Sequence, residues 1–184
     1  MLFACGGSIV KEGLIGKVTL EGYEGKQVYL MSSATSPVIV DSAMVKDGEF
    51  FFQFSDSIPQ IYNLVLRNSI DDNYPIMLPV ISEKGLVRVS LGQLVYTSGT
   101  PLNDSLQDFL LAISNFTDKS MQDEHMDLQQ IKVDFANLIE GAVLNNINTP
   151  VGIYIYRMYY YKLSDSQKEK IMSRANESFK EAVK

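Results

Sequence analysis

The chain has one cysteine and one histidine among 184 residues. A single thiol cannot build a disulfide framework or an internal dithiol redox centre. One Cys and one His are also too few for the four ligands of a structural zinc site. Long apolar runs are missing too: none reaches the roughly 18 residues of a membrane-spanning helix. Basic charge is in short supply, with 16 Lys and Arg against 22 Asp and Glu and a net charge of −6. Residues 1–100 hold 7 basic and 10 acidic groups and residues 101–184 hold 9 and 12, so each half carries −3. With no basic patch or tail, nucleic acid is not an expected partner.

What is present suits one domain or two small ones. Hydrophobic residues make up 46% of the chain, ordinary for a protein with a sizeable core. The stretch Val38 to Phe54, VIVDSAMVKDGEFFFQF, organises the first half. Its Asp47-Gly48 pair between two extended runs is a strong hairpin signal, because both residues tolerate positive φ. Phe50, Phe52 and Phe54 alternate with Glu49, Phe51 and Gln53, which places three rings on one face of a strand. Further strand-length runs are Ile9–Glu21, Gln27–Met31, Ile61–Leu66, Ile76–Ile81, Leu86–Leu91 and Leu94–Thr97. Ten of the 12 glycines precede residue 100, which marks a change of architecture there.

Beyond that point the hydrophobic period changes from two to 3.6. Thr100-Pro101 reads as an N-cap with proline at the first helical position. Leu102, Leu106, Phe109, Leu110, Ile113 and Phe116 fall on one helical face, and Leu128, Ile131, Phe135, Leu138, Ile139 and Ala142 repeat the pattern. Thr149-Pro150 opens a third segment, apolar on most sides. Ser164 with Gln167 is a capping box before a last helix carrying Ile171, Met172, Ala175 and Phe179 on one side. The fold class expected is α+β: an N-terminal antiparallel β-sandwich over residues 9–99, then a C-terminal helical region over residues 100–184 of three to four helices. Residues 1–8 would form a flexible tether.

Few groups could carry chemistry. His125, in Asp123-Glu124-His125-Met126-Asp127, could act as a base oriented by a carboxylate. No activated nucleophile accompanies it, and the expected reading is a solvated histidine at a helix start. Asp71-Asp72-Asn73 offers oxygens to a cation but lacks the spacing of a calcium loop, so it reads as a polar turn. No metal or other cofactor is expected. Tyr154, Tyr156, Tyr159, Tyr160 and Tyr161 form the densest aromatic cluster. Tyr156, Tyr159 and Tyr160 are the candidate ligand-binding rings, able to stack on a sugar or a peptide. The alternative is that Tyr154 and Tyr161 pack inward with Ile155 and Met158 while the other rings sit at the rim. Asp41-Ser42-Ala43, Asp56-Ser57-Ile58 and Asp104-Ser105-Leu106 each resemble a short O-glycosylation motif of some Gram-negative envelope proteins.

Leu2-Phe3-Ala4-Cys5-Gly6-Gly7 resembles the lipobox of bacterial lipoproteins, in which the cysteine becomes the lipidated N-terminus. Only four residues precede Cys5, with no basic or long apolar leader among them. The other reading is an ordinary terminal thiol. On the lipobox reading Cys5 is the lipidation site, and Gly6-Gly7-Ser8 is the tether to the membrane.

The segments GKVTLEGYEGKQVYLMS, VIVDSAMVKDGEFFFQF, SGTPLNDSLQDFL and NTPVGIYIYRMYYYKLSDSQ, in that order, resemble the domain of unknown function 4369 family of Gram-negative envelope lipoproteins. That resemblance implies location in the cell envelope, lipid-anchored and facing the periplasm or the cell surface. In the family this domain often precedes a thioredoxin-like, peroxiredoxin-type domain. No Cys-x-x-Cys occurs up to Lys184. The function expected is therefore a non-catalytic envelope lipoprotein module that binds a protein partner or a small ligand. The alternative is the N-terminal, non-redox part of a thiol–disulfide oxidoreductase whose redox domain lies elsewhere.

Overall fold

The computed structural model describes residues 12–33, 36–69, 74–122 and 127–184. It forms two compact units that part between Asn103 and Asp104. Among the described residues the first holds eight strands: β1 (Gly13–Val18), β2 (Gln27–Ser32), β3 (Ile39–Met44), β4 (Glu49–Phe52), β5 (Ile61–Leu66), β6 (Ile76–Ile81), β7 (Leu86–Leu91) and β8 (Val95–Ser98). They make two four-stranded sheets, ordered β4-β1-β7-β8 and β3-β2-β5-β6. With the helices that follow, the chain is α+β, as its two hydrophobic periods imply.

The Asp47-Gly48 turn forms where local chemistry puts it. Asp47 has φ 54° and Gly48 φ 73°, the pair of positive angles that a two-residue type I′ turn requires. The Lys46 and Glu49 N–H groups each donate to the other's carbonyl, at 2.9 and 3.0 Å. Glu24 braces the turn, its carboxylate accepting from Asp47 N–H (2.9 Å) and Gly48 N–H (3.1 Å). The two arms then part company. β3 joins the second sheet and β4 joins the first, so the hairpin is a corner between sheets. Phe50 and Phe52 enter the core edge to face, at 5.9 Å, while Phe54 lies past the strand and stacks on Tyr62.

One pairing departs from the antiparallel expectation: β1 and β7 run parallel, Leu14 beside Val87 and Gly16 beside Val89. Parallel neighbours need a long crossover, and here the whole second sheet intervenes between them. Alternating apolar residues bury one face of a strand whichever way its neighbour runs, so the pattern carries no direction. At Gly16 a Cβ would lie 1.9 Å from the Phe50 ring. Glycine leaves room there for a ring to lie across the strand.

The first unit closes around a buried amide. Asn103 is fully buried; its Oδ1 accepts from Ile81 N–H (2.9 Å) and its Nδ2 donates to Ile81 C=O (2.9 Å). Nδ2 also donates to Thr100 Oγ1 (2.9 Å), and Thr97 Oγ1 donates to Oδ1 (3.3 Å). The side chain thus pairs with the open edge of β6 at its last residue, as a further strand would. Leu102 N–H, in the first helical turn, donates to the Glu83 carboxylate at 2.9 Å, so an acidic side chain from the β6–β7 connection helps cap that helix.

The second unit is helical, with α1 (Pro101–Gln122, whose first residues belong to the first unit), α2 (Leu128–Asn145), α3 (Pro150–Tyr159), α4 (Asp165–Arg174) and α5 (Glu177–Ala182). Its caps are written in the sequence: Asp127 before α2, Thr149-Pro150 before α3, and the complete Ser164–Gln167 capping box before α4. The last segment differs from the single helix expected. It breaks at Ala175, because Asn176 caps a new helix by accepting from Phe179 N–H (2.8 Å). Asn176 N–H is drawn to Asn148 Oδ1 (2.7 Å), so both its donor and its acceptor favour a helix start over a helix interior. Gly152 lets α3 approach α2 closely; a Cβ there would lie 2.3 Å from the Asn146 carbonyl oxygen.

A polar clamp ties α2 to α4. The Glu140 side chain is 13% exposed, with Oε1 2.5 Å from Lys170 Nζ. Its Oε2 accepts from Gln167 Nε2 (3.0 Å), which also donates to Asn137 Oδ1 (3.2 Å). Lys170 holds the carboxyl below its ordinary range, against the opposing effect of burial. A carboxylate with a lowered folded pKa stabilises above its unfolded pKa and loses that contribution as pH falls through the folded value. Glu140→Gln should therefore cost about 1–2 kcal/mol at neutral pH, at the low end for a charged hydrogen bond because Lys170 is half exposed. Thermal midpoints of the two proteins should converge as the pH drops below about 4.3. A gap that stays constant from neutral to acid pH would show that the clamp contributes nothing ionic.

Candidate interaction surface

Strand register decides which side chains leave the sandwich. In the second sheet Tyr29 stands between Ser42 and Val65, with Met77 next to Val65. A register shift in β2–β3 between Leu30 and Met31 leaves Val40 without a partner and sets Ile39 opposite Met31, on the same outward face. Met44 is opposite Gln27 on that face. Ile39, Met44 and Met77 are 58%, 57% and 57% exposed. Among the described residues, no strand position on this outward face carries a charged side chain.

The first sheet shows the usual arrangement. Its outward rungs run Glu49–Lys17–Ser90–Tyr96 and Phe51–Ile15–Arg88–Ser98, mixing both charge signs with hydroxyls. A sandwich needs one apolar face per sheet. The second sheet has apolar residues on both, and a contiguous apolar patch on a folded surface marks a place of interaction. Methionine suits such a face, since its unbranched thioether adapts to differently shaped partners. The signal was present in β2, where Val28 and Leu30 face inward and Tyr29 and Met31 outward; without the register, the two faces could not be told apart.

The tyrosine cluster is divided by the fold. Tyr156 is 4% exposed and meets Phe179 and Tyr160 edge-on at 5.7 and 5.6 Å. Tyr159 belongs to a different string of rings, between Phe109 (5.6 Å) and Phe135 (5.8 Å). Tyr160 is half exposed, with Lys168 Nζ 4.4 Å above its ring. Tyr161 and Met158, expected inside, are exposed, while Ile155 and Tyr156 are buried. The chain leaves α3 at Tyr159 and continues as a 3-10 turn over Tyr160–Lys162, so the 3.6 period stops one turn early. Burial pushes Tyr154 up to about 12, with Tyr159 adding to the shift, and raises Tyr156 and Tyr159 as well. These phenols stay protonated at neutral pH and are not poised as bases.

The remaining candidates are scattered. Cys5, His125 and Asp71-Asp72-Asn73 lie outside the described residues. Ser42 is exposed on β3 and Ser57 in a bend, whereas Ser105 lies in α1 and donates to Asn146 Oδ1 at 2.6 Å. Asp56 accepts from the Tyr62 hydroxyl at 3.1 and 3.0 Å, and burial followed by this bond pushes Tyr62 up to about 12. Among the described residues no group of His, Cys, Asp and Glu is arranged to hold a metal ion, and no helix is long and apolar enough to cross a membrane.

Comparison with curated proteins and with solved structures finds no match. Comparison with protein families does: residues 14–106, half of the chain, match the family described as Domain of unknown function (DUF4369). The matched stretch begins at the second residue of β1, covers the seven strands that follow and ends just past Asn103, the residue that closes the first unit. On that match the chain belongs to the DUF4369 family.

Proposed function

We propose that this protein is a non-catalytic binding module of the Gram-negative cell envelope, held at a membrane by lipid on Cys5, and that it receives a protein partner on the outward face of its second sheet. The observation that carries this reading is the uncharged outward face on which Ile39, Met44 and Met77 each keep more than half of their surface. Completing the burial of three such side chains would contribute about 1 kcal/mol each, enough to bias association once shape and hydrogen bonds agree. The lipobox resemblance at Cys5 supports the location.

A photoreactive amino acid placed at Met77 in living cells tests the face directly. It should give a cross-linked adduct of defined mass, whereas the same group at Lys17, on the outward face of the first sheet, should give none. If neither position yields an adduct, or both yield the same smear, the second sheet is not a docking face.

A further inference from the structure

We infer that Met44 and Met77 form an oxidation switch on the outward face of the second sheet, where peroxide turns both thioethers into sulfoxides and closes the face to its partner. The inference rests on the reading of that face as a docking surface. Of the eight methionines in the chain, Met31, Met44 and Met77 stand on this one face, on β2, β3 and β6. Met44 and Met77 are each 57% exposed, and Met31 is partly exposed. They surround Tyr29. Met31 lies two residues along the same strand, Met44 lies diagonally across on β3, and Met77 shares the rung of Tyr29 beyond Val65. Among the described residues no charged strand position accompanies them, so a change of polarity at two thioethers changes the character of the face. Met121 and Met158 are exposed as well, but sit on separate helices, α1 and α3.

The reaction is an oxygen transfer from a hydroperoxide. The sulfur lone pair attacks one peroxide oxygen, an S–O bond forms and the O–O bond breaks. Sulfur gives up two electrons, and the departing hydroxide takes a proton and leaves as water. A flexible apolar side chain thereby becomes a polar one that accepts hydrogen bonds. On the free face that new dipole is solvated, and the inward residues Val28, Leu30 and Leu64 take no part, so the sandwich keeps its core. A docked partner strips the water from it, and burying a polar group without a compensating donor is costly. Two such groups should weaken docking about tenfold. Reversal takes the oxygen off as water, with two electrons from a thiol pair that becomes a disulfide. One cysteine cannot supply that pair, so the reversing partner is a separate dithiol-dependent sulfoxide reductase.

Two measurements on the full chain separate the switch from the docking. The purified Cys5→Ser protein, which has no thiol to compete, is treated with hydrogen peroxide and mapped by peptide mass. Met44 and Met77 should each gain one oxygen, the thermal midpoint should hold, and the protein should elute earlier from a hydrophobic-interaction column. Met44→Leu/Met77→Leu, which keeps the face apolar without sulfur, should shift much less, while Met121→Leu/Met158→Leu should shift nearly as much as the parent. Methionine sulfoxide reductase with dithiothreitol should return the oxidised parent to its first position. In cells, a photoreactive amino acid at Ile39 leaves both methionines in place. Its adduct should fall about tenfold after peroxide and persist in the Met44→Leu/Met77→Leu background. Met44 and Met77 that stay unoxidised while Met121 oxidises overturn the proposal. So does an adduct lost equally from the double leucine variant. An adduct that survives on the oxidised face removes the switch alone, whereas absence of any adduct before peroxide removes the docking reading and the switch with it.

Discussion

Replacing Asn103 by leucine should lower the unfolding free energy by about 3–5 kcal/mol. Leucine keeps the branching of asparagine but puts larger methyl groups where Oδ1 and Nδ2 stood, so the change removes the hydrogen bonds and crowds the Ile81 backbone. Ile81 N–H and Ile81 C=O would both lose their partner in a place that water does not reach. An orphaned buried donor or acceptor costs about 1–3 kcal/mol. The Thr97 and Thr100 hydroxyls can rotate to other acceptors and add less. Asn103→Asp should be no better, because a carboxylate cannot donate to the Ile81 carbonyl and would be buried as a charge. Urea unfolding followed by circular dichroism measures this, with the midpoint falling and the slope unchanged. A loss below about 1 kcal/mol for the leucine variant would mean that the pairing on the open edge of β6 contributes little and that packing alone closes the first unit.

The second large effect concerns the membrane. If Cys5 carries lipid, the protein expressed from its own gene in a Gram-negative host should enter the detergent phase on fractionation. Cys5→Ser should move nearly all of it to the aqueous phase, with folding unaltered. Each buried acyl CH₂ contributes about 0.8 kcal/mol, and stable anchoring takes more than one chain, as bacterial lipoproteins carry. The attachment should therefore withstand high salt. A chain of net charge −6 held by electrostatics would instead be released as salt screens the attraction. Equal partition of wild type and Cys5→Ser would remove the envelope assignment and leave Cys5 an ordinary terminal thiol.

The purely local features are legible in the amino-acid sequence alone. Asp47-Gly48 makes its turn because two residues with tolerated positive φ need no distant partner to do so. The Ser164–Gln167 box and the Thr149-Pro150 start work for the same reason: donor and acceptor lie within one helical turn. Strand positions follow from a period of two, and helices from a period of 3.6. Even the break at Asn176 has a local cause, since asparagine is a better cap than helix interior.

What tertiary structure decided were the partners. The arms of the Asp47-Gly48 hairpin enter different sheets, and β1 lies parallel to a strand that begins 68 residues beyond its end. Alternation cannot report either fact, because an apolar face is satisfied by any apolar neighbour. The candidate surface was hidden for the same reason. β2 is apolar on both faces, and only its register with β3 and β5 shows that Tyr29 and Met31 point out while Val28 and Leu30 point in. Asn103 was invisible because an amide near a helix start reads as solvated. Its role exists only where the chain brings it to the end of a strand 22 residues earlier, whose last N–H and C=O would otherwise have no partner.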